Sequence, residues 1–298
     1  MNINKYYKMS DFDGLLLSIN ILEPNTEPKG IVQISHGMCD HKNRYNILMR
    51  FLADNGYVCI AHDHRGHGSS VIKPFNDLGY FYDNTGTAVV QDMITVSNFI
   101  KEKYPNLPLF VLSFSMGSLV AREYMKTQDS EISGIIHIGA PSKNSLTSVG
   151  IVLSKVLAFF QTDRKRSRIM KILTTGFSSS WITTDKKELE LALADKLCDY
   201  TFTLNGYLNL LILLRSAYYK NEYLVTNPSL PILFLNGEND SVVGKPSKLR
   251  HTLKFFRELG YRNITSIVYK NANHDLVHET EKGKIFKDIL DFIDMHNI

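Results

Sequence analysis

A serine flanked by small residues is the feature of this sequence that points most directly to chemistry. Ser115 lies in the pentapeptide 113–117 (SFSMG), after the apolar run 109–114 and before a stretch with helical character. A serine on such a tight strand-to-helix turn exposes its hydroxyl, and small residues at Ser113 and Gly117 let the backbone fold back on itself. The pattern departs from the G-x-S-x-G elbow only at Ser113, where serine replaces glycine. It predicts that Ser115 is a nucleophile.

The general base of such a serine is a histidine, which a carboxylate holds in the right tautomer. In hydrolases with this kind of elbow the chain order is serine, acid, histidine, and each residue follows a strand. His274 fits this order because it lies in a loop after the predicted strand 266–269. His278, expected at the start of the next helix, is the alternative base, whereas His251 falls in a helical stretch and His296 near the end of the sequence.

The acid and the oxyanion-hole donors are likewise expected in loops that follow strands. Asp240 comes after an apolar strand and a glycine turn and is the predicted acid, with Glu238 as the alternative. The oxyanion needs two backbone N–H donors, one from the residue after the nucleophile and one from a loop after an early strand. We predict the amides of Met116 and Met38, because Gly37 lets the second loop approach closely.

A histidine-rich run raises the question of a metal site. Residues 62–67 contain three histidines and an aspartate. With this spacing, the side chains are not held together on one rigid face. The sequence also has no further set of residues with the spacing of a metal site. We therefore expect a structured loop here, with no metal and no cofactor.

Composition is typical of a globular enzyme. The 298 residues are 44% hydrophobic and 21% charged, with a net charge of +4, which is far from the footprint of a nucleic-acid-binding protein. Three scattered cysteines without a C-x-x-C pair indicate reduced thiols. The N-terminal stretch 1–13 is polar, without the apolar segment of a signal peptide, and the longest apolar run, 208–214, is too short to span a membrane. We expect a cytoplasmic protein.

Strand-like and helix-like segments alternate along most of the chain. This alternation predicts an α/β fold with a mostly parallel central sheet and helices on both faces. The predicted strands are 31–35, 57–62, 109–114, 134–138, 231–235 and 264–269, and the predicted helices include 45–55, 87–103, 245–259 and 282–295. Residues 141–227 contain no convincing strand. The prediction is a core of residues 1–140 and 228–298, interrupted by a helical cap of residues 141–227.

Several motifs together are similar to one known family. They are HGMCDH at 36–41 with the following Arg44-Tyr45, DHRGHGS at 63–69, SFSMG at 113–117, GEND at 237–240 and NHDLVHE at 273–279. With them the chain resembles the α/β-hydrolase superfamily, and within it the monoacylglycerol lipase and lysophospholipase-like group (serine aminopeptidase S33 or Hydrolase-4 type). The departures are Ser113 and Ser118, where the group usually has glycine. The resemblance implies a helical cap that receives an acyl chain.

The motifs and the resemblance imply a metal-free serine carboxylic-ester hydrolase. Ser115 would attack the carbonyl, His274 would shuttle the proton, Asp240 would orient His274, and an acyl-enzyme would follow. The expected substrate is a single-chain acyl ester, such as a monoacylglycerol or a lysophospholipid.

Two other functions stay open at this stage. An aminopeptidase of the proline-iminopeptidase kind would need a carboxylate cluster in the cap. The cap does contain acidic residues, but their pattern suggests one solvated helix face: Glu188, Glu190, Asp195 and Asp199. A capped-hydrolase ligand receptor without enzymatic activity is the other alternative.

The predicted cap contains an apolar segment next to a basic one. Apolar residues of 149–160 surround most of a helix, and the charged run 163–168 follows. Such a pair of segments can dock transiently on an anionic lipid surface. A cap helix packed on the core beside a solvated charge run is the simpler interpretation and is favoured. The oligomeric state is left open.

Overall fold

A single sheet of eight strands runs through the computed structural model, which describes residues 2–176 and 179–297. The strands are β1 (Asn4–Met9), β2 (Leu16–Leu22), β3 (Gly30–Ser35), β4 (Tyr57–His62), β5 (Leu109–Phe114), β6 (Gly134–Ile138), β7 (Ile232–Gly237) and β8 (Ile264–Tyr269). Their order in the sheet is β1-β2-β4-β3-β5-β6-β7-β8. The pairs β1–β2 and β2–β4 are antiparallel, and all the others are parallel. The predicted mostly parallel sheet is confirmed.

Helices cover both faces of this sheet. They are α1 (Asn46–Asp54), α2 (Thr87–Lys103), α3 (Met116–Gln128), α4 (Thr147–Gln161), α5 (Arg168–Thr175), α6 (Lys186–Ala194), α7 (Leu204–Ser216), α8 (Pro246–Leu259) and α9 (Lys282–His296). Apolar side chains of α1 and α9 form a core cluster on one face, and those of α2, α3, α7 and α8 form a cluster on the other. Strands β3 to β7 are buried along their whole length, as a parallel sheet covered on both sides requires.

Strands β1 and β2 were not predicted from the sequence. β1 is an edge strand whose side chains are mostly exposed, including Tyr7 and Met9, so it lacks the apolar alternation that marks a half-buried strand. β2 lies between β1 and β4 and is antiparallel to both. The sheet therefore has an antiparallel edge in addition to the parallel strands that carry the predicted site.

The stretch between β6 and β7 is helical in the part of the chain that the structure describes. It contains α4 to α7, a short 3-10 helix (Lys220–Glu222) and one isolated β-bridge between Arg166 and Thr203. Leu208, Leu211 and Leu213 of α7 are buried, so much of the apolar run 208–214 packs in the interior. The boundaries 141 and 227 of the cap stay a prediction. Across the described residues, the structure has no helix that combines the length and the apolar character of a membrane span.

Candidate active site

Ser115 occupies the turn between β5 and α3. Its backbone has φ 51° and ψ −117°, a conformation that is strained for a residue with a side chain and typical of a nucleophile elbow. Gly117 faces the end of β3, where an added Cβ would lie 2.2 Å from the Ser35 carbonyl oxygen. At position 113 the usual glycine is not needed, since the Ser113 hydroxyl fits inside and donates to the Ile136 carbonyl at 3.0 Å.

Ser115, His274 and Asp240 form a continuous hydrogen-bonded chain. His274 Nε2 lies 2.8 Å from Ser115 Oγ, and His274 Nδ1 lies 2.8 Å from Asp240 Oδ2. An ionised carboxylate only accepts hydrogen bonds, so the imidazole proton is on Nδ1 and Nε2 is free to accept the serine proton. His274 and Asp240 are both buried, which protects this arrangement from water.

The environment of Asp240 favours its ionised form. Burial raises the pKa of the Asp240 carboxyl group. His274 and the backbone N–H groups of Val243 and Val242 lower the pKa by a larger amount, so it lies below its ordinary value. The two N–H groups donate to Oδ1 at 3.1 and 2.8 Å. Glu238, the alternative acid, is exposed and accepts from the Asn271 N–H at 3.1 Å instead of contacting His274.

The alternative bases lie away from Ser115. His278 is in a short 3-10 helix (Leu276–His278) and not at the start of α9, which corrects the predicted position. Its Nδ1 contacts the Asp275 carboxylate at 2.9 Å and its Nε2 donates to the Arg44 carbonyl at 3.0 Å. His251 is exposed on α8, and His296 packs against Phe292 at the end of α9.

The loop after β3 packs directly on the elbow. An added Cβ on Gly37 would lie 2.8 Å from the Phe114 ring and 3.4 Å from the Ser115 Cβ, so only glycine permits this approach. Met38 follows Gly37, and Met116 is the first residue of α3. The backbone amides proposed for the oxyanion hole are therefore on the two segments that meet at Ser115.

The histidine-rich run supports the loop after β3. The His64 N–H donates to His36 Nε2 at 2.9 Å, and His64 Nε2 lies 2.9 Å from the Ser35 hydroxyl. Burial lowers the pKa of His62 and of His67 to about 4, so both are neutral at physiological pH. Asp63, between them in the sequence, accepts from Lys42 Nζ at 2.5 Å. These contacts are those of a structured loop.

One group of possible metal ligands lies elsewhere. Among residues 2–176 and 179–297, ligand atoms of His41, Asp195 and Cys198 lie within 4.8 Å of one another. His41 Nε2 already donates to Asp195 Oδ2 at 2.9 Å. The group joins the loop after β3 to the segment after α6, and none of its members belongs to the Ser115 hydrogen-bond chain.

Trp181 is a neighbour of the base that the sequence did not reveal. Its ring centroid lies 5.2 Å from that of His274, and its carbonyl accepts the His274 N–H at 3.3 Å. The next residue, Ile182, accepts the N–H of Asp275 at 2.7 Å. Trp181 is the single tryptophan of the sequence and lies in the predicted cap, a signal that could have drawn attention to it.

Comparison with known proteins gives the family. The Hydrolase_4 family (Serine aminopeptidase, S33) matches residues 26–281. The chain is 27% identical to the monoglyceride lipase of Rattus norvegicus over 76% of this chain and 71% of that protein. It is 23% identical to the monoacylglycerol lipase of Mycolicibacterium smegmatis (strain ATCC 700084 / mc(2)155) over 95% and 94% of the two chains.

A solved structure agrees on the fold. The carboxyl esterase of Bacillus coagulans in complex with glycerol superposes with a TM-score of 0.88 at 21% identity, covering 100% of both chains. The family match spans the elbow, the loop after β3 and the segments that carry Asp240 and His274. The chain therefore belongs to the Hydrolase_4 (serine aminopeptidase, S33) family.

Proposed function

We propose that this chain is a serine ester hydrolase that cleaves single-chain acyl esters, with monoacylglycerols as the main substrates and lysophospholipids as related ones. The observation that carries the proposal is the hydrogen-bonded chain from Asp240 through His274 to Ser115. The relatives named monoglyceride and monoacylglycerol lipases support the substrate class.

In the proposed reaction, Ser115 Oγ attacks the ester carbonyl carbon while its proton passes to His274 Nε2. The carbonyl oxygen becomes an oxyanion that accepts hydrogen bonds from the Met38 and Met116 amides. The ester C–O bond then breaks, and His274 gives its proton to the departing alcohol. Water attacks the acyl-enzyme with His274 as base, which releases the carboxylic acid and restores Ser115. Asp240 stabilises the imidazolium that forms in each half of the reaction.

We assign residues 141–227 the role of a cap that binds the acyl chain, on a catalytic core of residues 1–140 and 228–298. The hydrogen bonds from His274 and Asp275 to the carbonyls of Trp181 and Ile182 support this role, since they join the segment before α6 to the loop of the base. The three cysteines carry free thiols, which supports the proposal that the enzyme works in the reducing cytoplasm.

Contact with a lipid surface is also part of the proposal. Apolar side chains of α4 and α5 remain exposed, with Phe159 at 85% and Phe160 at 78%. Exposed basic residues lie beside them in the chain, among them Lys165, Arg168 and Lys171. Apolar side chains next to cations are the combination that inserts into the boundary of a membrane with anionic lipids. We propose that this exposed face of the cap docks transiently on the lipid that supplies the substrate, in place of the packed cap helix that the sequence favours.

The aminopeptidase alternative has less support from the contacts. It requires free carboxylates in the cap, but Glu188 binds Lys282 at 2.6 Å and Asp195 binds His41 at 2.9 Å. Only Glu188 and Glu190 lie on α6, so the four acidic residues do not form the single helix face that the sequence suggested.

One experiment separates these functions. Initial rates on a long-chain monoacylglycerol, a lysophosphatidylcholine and an aminoacyl-amide are measured side by side. We expect turnover of the monoacylglycerol at a kcat/KM at least tenfold above that of the amide. Preferential cleavage of the amide would favour the aminopeptidase, and absence of turnover on all three would favour a ligand receptor.

A further inference from the structure

The guanidinium group of Arg44 joins two loops that meet at the proposed active site. Its Nη1 donates to Asp40 Oδ1 at 3.3 Å, and Asp40 lies in the loop that carries Met38. Its Nη2 donates to Asp275 Oδ2 at 2.9 Å, and Asp275 directly follows His274. The Arg44 side chain is 14% exposed and both carboxylates are 2% exposed, so the bridge is largely shielded from water.

The Asp40 carboxylate shapes the loop after β3. It accepts hydrogen bonds from the Gly37 N–H at 3.3 Å, the His41 N–H at 2.8 Å and the Tyr45 hydroxyl at 2.8 Å. These contacts lie on both sides of Met38 in the chain. A displacement of Asp40 would therefore move the segment that holds the Met38 amide.

The Asp275 carboxylate anchors the loop of the base in the same way. It contacts Arg44 Nη2 and also His278 Nδ1, the latter at 2.9 Å, while His278 Nε2 donates to the Arg44 carbonyl. Nε2 of His278 thus faces a carbonyl acceptor, whereas Nδ1 faces both the Asp275 carboxylate at 2.9 Å and Arg44 Nη2 at 3.2 Å. Burial and the charge of Arg44 lower the pKa of His278, but the charge and hydrogen bond of Asp275 and the charge of Asp40 together raise it more, so the pKa lies above its ordinary value. Below that pKa, two cations and two carboxylates compensate one another between the loops.

We infer that Arg44 is a positioning residue, which fixes His274 relative to the Met38 amide by holding Asp275 and Asp40 together. The inference rests on the proposed function. The base and the oxyanion donor act on the same tetrahedral carbon, so their separation must match one geometry during the reaction. A displacement of about 1 Å can lower a rate by roughly 100-fold.

The test begins with Arg44→Met, which keeps an unbranched side chain and removes the bridge. We expect kcat for a monoacylglycerol to fall by ~100-fold while KM stays within about threefold, since the acyl site is untouched. Methylguanidinium added to Arg44→Met should restore part of kcat. Arg44→Lys should recover less than half of the lost rate, because a lysine ammonium lacks the planar fork that reaches two carboxylates.

A double-mutant cycle tests whether the bridge acts as a unit. Asp275→Asn removes one anchor, and its effect on kcat should add little to that of Arg44→Met in the double variant. The matched control is Lys126→Met, which removes another buried cation between two carboxylates, those of Glu123 and Glu222. This control should lose stability with kcat unchanged.

The outcomes separate this inference from the proposed function. A wild-type protein without ester turnover would refute the proposed function. An active wild type together with a folded Arg44→Met that keeps kcat within threefold would refute the role of Arg44 alone, as would fully additive effects in the cycle. If Arg44→Met does not fold, the other two variants decide. The role of Arg44 is then refuted if Arg44→Lys and Asp275→Asn both keep the kcat of the wild type.

Discussion

The hydroxyl of Ser115 is an ordinary alcohol, and in the proposed reaction its reactivity comes from the side chains around it. His274 is held at both ring nitrogens, each at 2.8 Å, so one rotamer presents Nε2 to the serine. Asp240 is in turn held by two backbone N–H groups. The three side chains hold one another in place through these hydrogen bonds, so the loss of any one of them should remove most of the catalytic rate.

The roles of the two neighbouring histidines can be separated by substitution. His274→Ala should lower kcat by at least ~10⁴-fold, because Ser115 then has no base. His278→Ala should retain far more activity and lose thermal stability, because His278 contacts Asp275 and Arg44 and not Ser115. Steady-state rates and melting temperatures of both purified variants measure this. Near-complete loss with His278→Ala and a mild effect of His274→Ala would reverse the assignment.

His278 should also make stability depend on pH. Its folded-state pKa lies above the ordinary value because of Asp275, so the stabilisation is fully present below about pH 6.5 and is lost as pH rises through the folded-state pKa. His278→Gln should therefore lower the melting temperature more at pH 6 than at pH 9. The exposed His251→Gln is the control and should show no such difference. An equal loss at both pH values would mean that the contacts of His278 stabilise the fold without its charge.

At the scale of secondary structure, the sequence predicts the strands of the parallel sheet well. Apolar runs such as those of β5 and β6 are buried on both faces, and burial on both faces leaves an unbroken apolar signature. The edge strand β1 has no such signature because its side chains are mostly exposed. The 3-10 helix at His278 was also missed, because short helices lack the periodicity on which prediction depends.

The predicted triad residues follow from chain order, because each lies after a strand of the sheet and the carboxyl ends of parallel strands meet at one edge. Arg44 and Asp275 lie in motifs that carry the family resemblance, but nothing in the sequence indicates that their side chains meet. The two residues are 231 positions apart, and no chain-order rule pairs them. Trp181 is noticeable as the single tryptophan, but its contact with His274 could not be predicted, because it comes from the stretch between β6 and β7, where no strand fixes its position.

The exposed face of α4 gives a prediction at the same scale. Phe159→Ser/Phe160→Ser should reduce cosedimentation with vesicles of phosphatidylcholine and phosphatidylserine at least tenfold, because each phenylalanine contributes roughly 1.5–3 kcal/mol when buried. The control is Tyr7→Ser, which removes an exposed aromatic residue from β1. Turnover of a soluble short-chain ester should stay unchanged in both variants. Equal vesicle binding by the wild type and the double variant would show that this face does not dock.

In the whole molecule, the sheet and the helical insertion would have different roles. The sheet and its loops hold the reacting groups, and the helices between β6 and β7 would select the acyl chain. The two parts are joined by the backbone hydrogen bonds from His274 and Asp275 to Trp181 and Ile182. Substrate selection should therefore be visible as a dependence on acyl length.

A series of p-nitrophenyl esters from acetyl to palmitoyl tests this division. Burying one methylene is worth about 0.8 kcal/mol, so kcat/KM should rise up to roughly fourfold per added methylene until the acyl site is full. Measurements below the critical micelle concentration of each ester keep the substrates comparable. A flat profile, or a maximum at the acetyl ester, would leave a small-ester hydrolase whose insertion packs only on itself.

The most direct test of the account is covalent labelling of Ser115. The wild-type protein is incubated with a long-chain fluorophosphonate, and the modified residue is identified by peptide mass spectrometry, with Ser115→Ala treated in parallel. We predict one label, on Ser115, that appears in step with the loss of monoacylglycerol turnover, and no label on a folded Ser115→Ala variant. A label on another serine, or turnover by Ser115→Ala at more than about one per cent of the wild-type rate, would contradict the central claim.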